Sequence, residues 1–580
     1  MLLADGASAT TYTYQGNFTT VTDPAGNWKQ YASDAFGNLV TVIEPDPQYN
    51  PAAPTSPPAY PVTSAPSQTL LTSYTYDQVN HLTQVAMPRN TANGMKTQTR
   101  TFVYDPTTQR LTSATNPEKG TVSYTYNADG TLATKTDAMN NKESYTYDTL
   151  GRLTAIPDLK QTFAYDTCPT NAIGCVSMAG QLMQATFYGA VGQGLGPNAL
   201  SFEYNYAYTP AAKVSSKTLE VQSANHSSFQ GVQAYGALTA SYNYDNQGAL
   251  TSVVYPTLGT WTVSPTQTFN VTLDTLERPT GLKDTWSDGR GSTVNISGAT
   301  YNPANQPLYD GTATRAYNSL LQVAGITGPG MNMTYSYSSS KNDGQIASSV
   351  DTISSETITY QYDALKRLQT ASGKSWGETY GYDGFGNLTQ MQPSGTAGAP
   401  SLSVTVDAAT NRMTSAGAQY NANGNLYVAA GAVYQYDMAN RISEVMEGGN
   451  SYYAYDSDNR RIYYQDVNSK ETIYFYGADG HKLATYTYTV ITYSGNPELQ
   501  LTQQSENVYF LGKLITAEGN SVTTDRLGSV RSGGPGGLGY QAQYPYGVEY
   551  TLTANDREKY ATYTRDSLTG LDYEIGRAHV

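Results

Sequence analysis

The feature that most constrains this chain is a short unit that returns along most of its length. Copies read YDQVNHL (76–82), YNADGTL (126–132), YDTLGRL (147–153), YDNQGAL (244–250), YDALKRL (362–368) and YDGFGNL (382–388). YNANGNL (420–426), YDMANRI (436–442), YDSDNRRI (455–462) and YGADGHKL (476–483) follow, and SDAFGNL (33–39) is a degenerate early copy. The step from Asp105 to Asn127 is 22 residues and from Asn127 to Asp148 it is 21; Asp363 to Asp383 is 20 and Asp437 to Asp456 is 19. A period near 20 residues means one supersecondary unit stacked many times, not several independent cores.

The chemistry of one unit specifies its shape. Upstream of the Asp, stretches such as SYTYD (144–148), TYQYD (359–363) and VYQYD (433–437) place Tyr at every second residue, with Ser, Thr or Gln between. That alternation predicts a half-buried β-strand. The Asp folds the turn through its own backbone, and Gly or Asn three residues on takes a positive φ. A Leu or Ile then starts the return strand. Each unit is therefore expected to be one hairpin of a long antiparallel sheet, and stacking must stabilise it because an isolated hairpin is marginal.

Composition supports an all-β chain. There are 52 tyrosines against 11 phenylalanines, and charged residues make up only 14%. With so few Leu, Ile and Phe, a conventional core running through all 580 residues is not expected. A curved or hollow sheet whose concave face carries ordered Tyr, hydroxyls turned toward a wet interior, fits better. The net charge of −14 argues against nucleic-acid or anionic-membrane binding, which wants a basic face. No apolar run nears the roughly 20 residues of a membrane-spanning helix. The opening residues, MLLADGASAT, lack the basic and apolar regions of a secretory signal.

Glu44 to Gln68 holds eight prolines and is expected to be an extended surface loop between repeats. Residues 185–235 and 255–345 carry weaker repeats. Cys168 and Cys175 either close a short disulfide loop or remain free thiols.

The repeats, YDTLGRL and YDALKRL above all, resemble the YD repeats of the RHS family over roughly residues 11–485. VYFLGKLI (508–515), VTTDRLGSVR (522–531), YPYG (544–547) and YTRDSLTGLDY (563–573) are similar to the RHS-repeat-associated core domain. The resemblance implies an antiparallel spiral of hairpins forming a cocoon, sealed at one end by the core domain. On this reading 1–43 holds the first repeats, 44–68 the Pro-rich loop, 69–507 the shell and 508–573 a partial core domain. Glu574–Val580 departs from the family pattern and matches a translated sequencing adapter, so 574–580 is set apart from fold reasoning. The expectation is an open-ended piece without the family's N-terminal plug or C-terminal variable tip.

Catalytic chemistry is not apparent. His81 and His481 stand in repeat turns, His226 in a polar loop and His579 in the adapter-like tail, none beside a plausible nucleophile. Each repeat Asp has a sufficient structural reason as a turn former. VGQGLGP (191–197) lacks a strand–helix context for phosphate. Asp456-Ser457-Asp458-Asn459 lacks the glycine and terminal glutamate of a calcium loop. No catalytic, cofactor-binding or metal-ligating residue is assigned, and no cofactor. The implied role is a non-enzymatic shell of a secreted or surface RHS-type toxin, enclosing its own C-terminal toxin domain for intercellular competition. Its other partners would be secretion machinery and cell-surface glycans. The alternative is a carbohydrate-binding or adhesion scaffold, since Tyr rows with Asn, Asp and Gln between them suit sugars.

Overall fold

The computed structural model of the chain describes residues 2–48, 57, 68–91, 93–170, 172–188, 200–223, 234–258, 265–396, 398–415, 417–493, 496–534, 539–574 and 577–579. Most of the Pro-rich stretch, the Gly-rich segment 191–197 and His226 lie outside the described residues. What is described is one antiparallel meander. Three sheets of eleven strands run from Thr11 to Ser144, from Thr146 to Ile296 and from Thr300 to Ser403. A nine-stranded sheet follows from Gln419 to Glu506 and a four-stranded one from Val508 to Gly533. Within every sheet a strand pairs only with its neighbours in sequence, as expected when each unit is a hairpin. Single backbone bonds carry the meander across the breaks, as where Tyr145 N–H donates to Ala133 O at 3.0 Å and Ala299 N–H to Thr280 O at 2.9 Å. The sheet does not close into a barrel: Thr11–Gln15 pairs along one edge alone.

The Pro-rich insertion leaves the register intact, since Pro45 pairs with Thr69 and Asp46 N–H donates to Gln68 O across it. No helix among the described residues is long and apolar enough to cross a membrane.

The meander coils on itself. Asn342 N–H donates to Ser8 Oγ, 334 residues away, and the Lys366 ammonium lies 2.8 Å from Asp23. Gln98 Nε2 donates to Asn411 Oδ1 at 2.6 Å, Arg412 to Glu118 O at 2.9 Å, and Met139 N–H to Asn423 Oδ1 at 3.0 Å. Turns at the Asp end of the later hairpins thus dock on the opposite edge of the first sheet. The separation of the joined residues falls from 334 at Ser8 to 284 at Met139, then to 252 at Tyr204–Asp456 and 236 at Tyr242–Ala478. The coil tightens as it proceeds.

Tightening gives one part of the chain a conventional core. Where the coil is narrow, the second and fourth long sheets face each other. Phe187, Phe202, Leu219, Leu238 and Phe269 then pack with Ile462, Phe475, Tyr486, Leu499 and Leu501 in one continuous cluster. The chain concentrates its scarce Phe, Leu and Ile on the strands whose inner faces meet. Elsewhere the buried clusters are small, such as Ile326, Met331, Met333 and Tyr335 in the third sheet. Arg577–His579, set apart on sequence grounds, pairs with Asp572–Glu574.

Candidate functional site

The repeated Tyr-Asp turn is the chemical centre of the molecule, and its residues act together. In the 148–152 copy, Asp148 Oδ1 accepts the backbone N–H of Leu150 and of Arg152, both at 2.9 Å. The same pair of bonds recurs at Asp77, Asp363, Asp437 and Asp456, and Asn302 and Asn318 reproduce it with an amide oxygen. The third residue after the Asp lies in the left-handed region, Gly151 at φ 76° and Asn440 at 64°. Backbone N–H donors from Arg152 and Leu150, with the Arg152 guanidinium, hold the Asp148 carboxyl below the ordinary range.

The fourth residue after the Asp joins one repeat to the next. Arg367 Nε donates to Asp363 Oδ2 at 2.7 Å, and its guanidinium lies 4.3 Å over the Tyr382 ring of the following repeat. Arg152 sits likewise over Tyr165, Arg278 over Tyr301 and Arg441 over Tyr455, at 4.5, 4.5 and 4.9 Å. That tyrosine's hydroxyl then donates backward, to the carbonyl that opens the previous repeat's return strand. Tyr382 donates to Leu368 O at 2.7 Å, Tyr362 to Ile346 O at 3.0 Å, and Tyr76 to Leu39 O at 3.0 Å across the Pro-rich insertion. Tyr126, Tyr208, Tyr244, Tyr301, Tyr436, Tyr455 and Tyr476 repeat the bond. A register shift before the last tyrosine, as between Gln361 and Tyr362, brings the ring to this position. The last tyrosine of these strands therefore spends its hydroxyl inside the wall instead of offering it to a wet interior. Sequence reasoning named the strand and the turn; the bond depends on a bulge that alternation does not encode.

The histidines follow the same rule. His81 takes the arginine's place, with Nδ1 3.0 Å from Asp77 Oδ2 and its ring stacked on Tyr104 at 4.5 Å between centroids. His481 bonds Asp479 at 2.8 Å and stacks on Tyr509 at 4.2 Å. Both stack on a tyrosine of a later strand and so join neighbouring segments of the wall. Asp456 is buried under the second sheet, where Tyr204 donates to it at 3.3 Å. Burial pulls the nearby Lys217 amine down to about 8, its ammonium 3.8 Å over the Tyr204 ring. Among the described residues no group of three or more His, Cys, Asp or Glu is placed to hold a metal ion.

Cys168 and Cys175 form a disulfide, which resolves the open choice. The bridge closes an enlarged copy of the turn: Asp166 N–H donates to Gln181 O where an ordinary copy closes four residues on. Paired to Arg152, the Asp166 carboxyl is held down at about 2. The loop lies on the outer face of the second sheet, with Ile173 N–H donating to Glu220 at 2.7 Å.

The 508–573 segment joins distant parts of the coil. Lys482 pairs with buried Glu558, Arg461 lies 3.5 Å from Asp566 and 4.2 Å over the Tyr573 ring, and Arg531 is 3.7 Å from Asp351.

Comparison with known proteins agrees with this geometry. The RHS Repeat family model matches residues 126–156, and the Teneurin YD-shell model matches residues 343–511. No curated protein matches the sequence. The fold is similar to that of TcdB2-TccC3, with a TM-score of 0.71 at 17% identity over 98% of this chain and 32% of the other. The Photorhabdus luminescens Tc holotoxin pore carrying the TccC3-D651A mutation gives 0.71 at 17% over 99% and 31%. TcdB2-TccC3-Cdc42 gives 0.57 at 15% over 99% and 35%. The chain thus spans about a third of the length of the solved chains it matches. Two family models thus match parts of its repeats, and the fold along nearly its whole length is similar to that of the TccC3-containing structures.

Proposed function

We propose that the chain is the wall of a toxin-related encapsulating shell, exported to the cell exterior, that encloses a C-terminal toxin domain for use against other cells. The carrying observation is mechanical. The meander is continuous, and later turns dock on the edge of the first sheet from Ser8 to Asp137. Such a wall excludes proteases and solvent without chemistry of its own, and no residue is assigned a catalytic role. The similarity to TccC3-containing structures supports this reading. The surface-scaffold alternative draws less support, because the terminal repeat tyrosines have their hydroxyls committed to carbonyls inside the wall.

Protease protection tests the proposal. The product of the full reading frame that contains this chain is treated with a broad protease, natively and after urea. Peptides from a segment outside the shell sequence should survive natively and vanish once the wall unfolds. Equal cleavage rates in the two conditions would mean that nothing is enclosed.

A further inference from the structure

Where the 540–550 stretch meets the third sheet, aromatic side chains carry the contact. Tyr544 stands edge-on to Trp376 at 5.0 Å and donates its hydroxyl to Gly398 O at 3.4 Å. Tyr546 stands edge-on to Tyr380 at 5.3 Å, and its hydroxyl oxygen lies 2.6 Å from that of Tyr382. Tyr382 spends its own proton on Leu368 O at 2.7 Å, so in this pair Tyr546 donates and Tyr382 accepts. The two residues are 164 positions apart in the chain.

Both rings are held in place. Arg367 lies 4.3 Å over one face of Tyr382. The backbone of Tyr546 is left-handed, at φ 66°, a conformation unfavourable to a residue with a Cβ and maintained here by the contacts of its ring. The pair is also open to solvent, since Tyr546 is 49% exposed and Tyr382 half-buried. Tyr453 and Tyr464 stack at 5.2 Å, but both are buried. Tyr380 is buried too, with its hydroxyl given to Glu378.

A phenol that gives up an electron and its hydroxyl proton becomes a phenoxyl radical, and two such radicals join at ring carbons ortho to oxygen. The product carries its hydroxyls side by side across the new bond, hydrogen-bonded to each other. Tyr382 and Tyr546 already share that hydrogen bond. We propose that they form an oxidative cross-linking site, converted to dityrosine by a peroxidase-class oxidant that uses hydrogen peroxide. One C–C bond forms between the rings, and one ortho C–H bond breaks on each as it regains aromaticity. The pair loses two electrons and two protons in all, and hydrogen peroxide takes up both to leave two water molecules. The bond fastens the 508–573 segment to the third sheet, and it is independent of the encapsulation reading.

Peptide mapping of the oxidised protein tests it. The whole chain, kept dilute, is treated with a peroxidase and hydrogen peroxide, digested and analysed by mass spectrometry. A peptide pair joined through Tyr382 and Tyr546, lighter by two hydrogen atoms than its separate parts, should dominate the cross-linked products. Blue dityrosine fluorescence should rise with it. Tyr546→Phe retains the ring against Tyr380 but has no phenol, so the fold stays while the joined pair and most of the fluorescence disappear. Absence of the Tyr382–Tyr546 pair from the oxidised native chain overturns the proposal. So does a digest in which other tyrosines supply most of the cross-links.

Discussion

A single turn residue shows how the repeat tolerates and punishes change. The third position after the Asp demands a positive φ, yet Leu321 occupies it at 60° and is half-exposed. For a branched side chain that conformation costs roughly 1–2 kcal/mol. Leu321→Gly should therefore stabilise the chain by up to about 1 kcal/mol, after the greater backbone freedom of glycine in the unfolded chain is deducted; chemical denaturation would show the gain as a higher midpoint. The Asp itself is more exacting. Asp363→Ala orphans the N–H groups of Leu365 and Arg367 and frees the Arg367 side chain, a loss of about 1–3 kcal/mol. Asp363→Asn should recover most of it, because Asn302 and Asn318 already make both backbone bonds. Equal losses in the two variants would mean that the Arg367 ion pair, not the turn, is what the carboxylate supplies. These roles were legible in the sequence because turn chemistry is local. The hydroxyl-to-carbonyl bonds were not, since their acceptors lie on the neighbouring repeat.

At the scale of an element, the disulfide-closed turn is the outlier. An ordinary Tyr-Asp turn closes in four residues, whereas Asp166 closes on Gln181. The Cys168–Cys175 bridge limits the freedom of that inserted chain, by about 2–3 kcal/mol on the chain-entropy account of a short loop. Reduction should raise amide exchange across 168–181 and leave the 420–465 repeats unchanged. Faster exchange throughout the molecule would show that the loop braces the whole wall. The sequence offered two cysteines at loop spacing but no sheet face beneath them. Strand alternation, by contrast, was readable wherever Tyr and Thr take turns; it persists at 200–208 with Leu200 and Phe202 ahead of the tyrosines, and it blurs at 182–188, where Leu182 and Met183 stand side by side. Those strands face another sheet, a contact fixed hundreds of residues away.

For the whole molecule, burial outweighs pairing at several carboxylates. Glu220 and Glu506 are pushed up to about 7 by desolvation, and Glu203, Glu378 and Glu518 move in the same direction for the same reason. A carboxyl whose folded value lies above its unfolded one binds a proton more readily when folded. Its contribution is therefore greatest below about 4.5 and is lost as pH rises toward about 7. Stability should fall between pH 5 and pH 8 by on the order of 1–2 kcal/mol for each of Glu220 and Glu506. Thermal unfolding across that range reads it directly, and a flat profile would mean that water reaches these carboxyls. The tightening coil has one more consequence. Because later turns seat on an earlier edge, the hairpins behave like the thread of a screw cut into its own wall. Losing one hairpin of about 20 residues would leave every later turn facing the wrong tooth. An insertion at a hairpin tip, such as the Pro-rich stretch, advances no tooth at all. Relatives should thus differ freely in loop length, while their hairpins are gained or lost only by whole revolutions or beyond the last engaged turn.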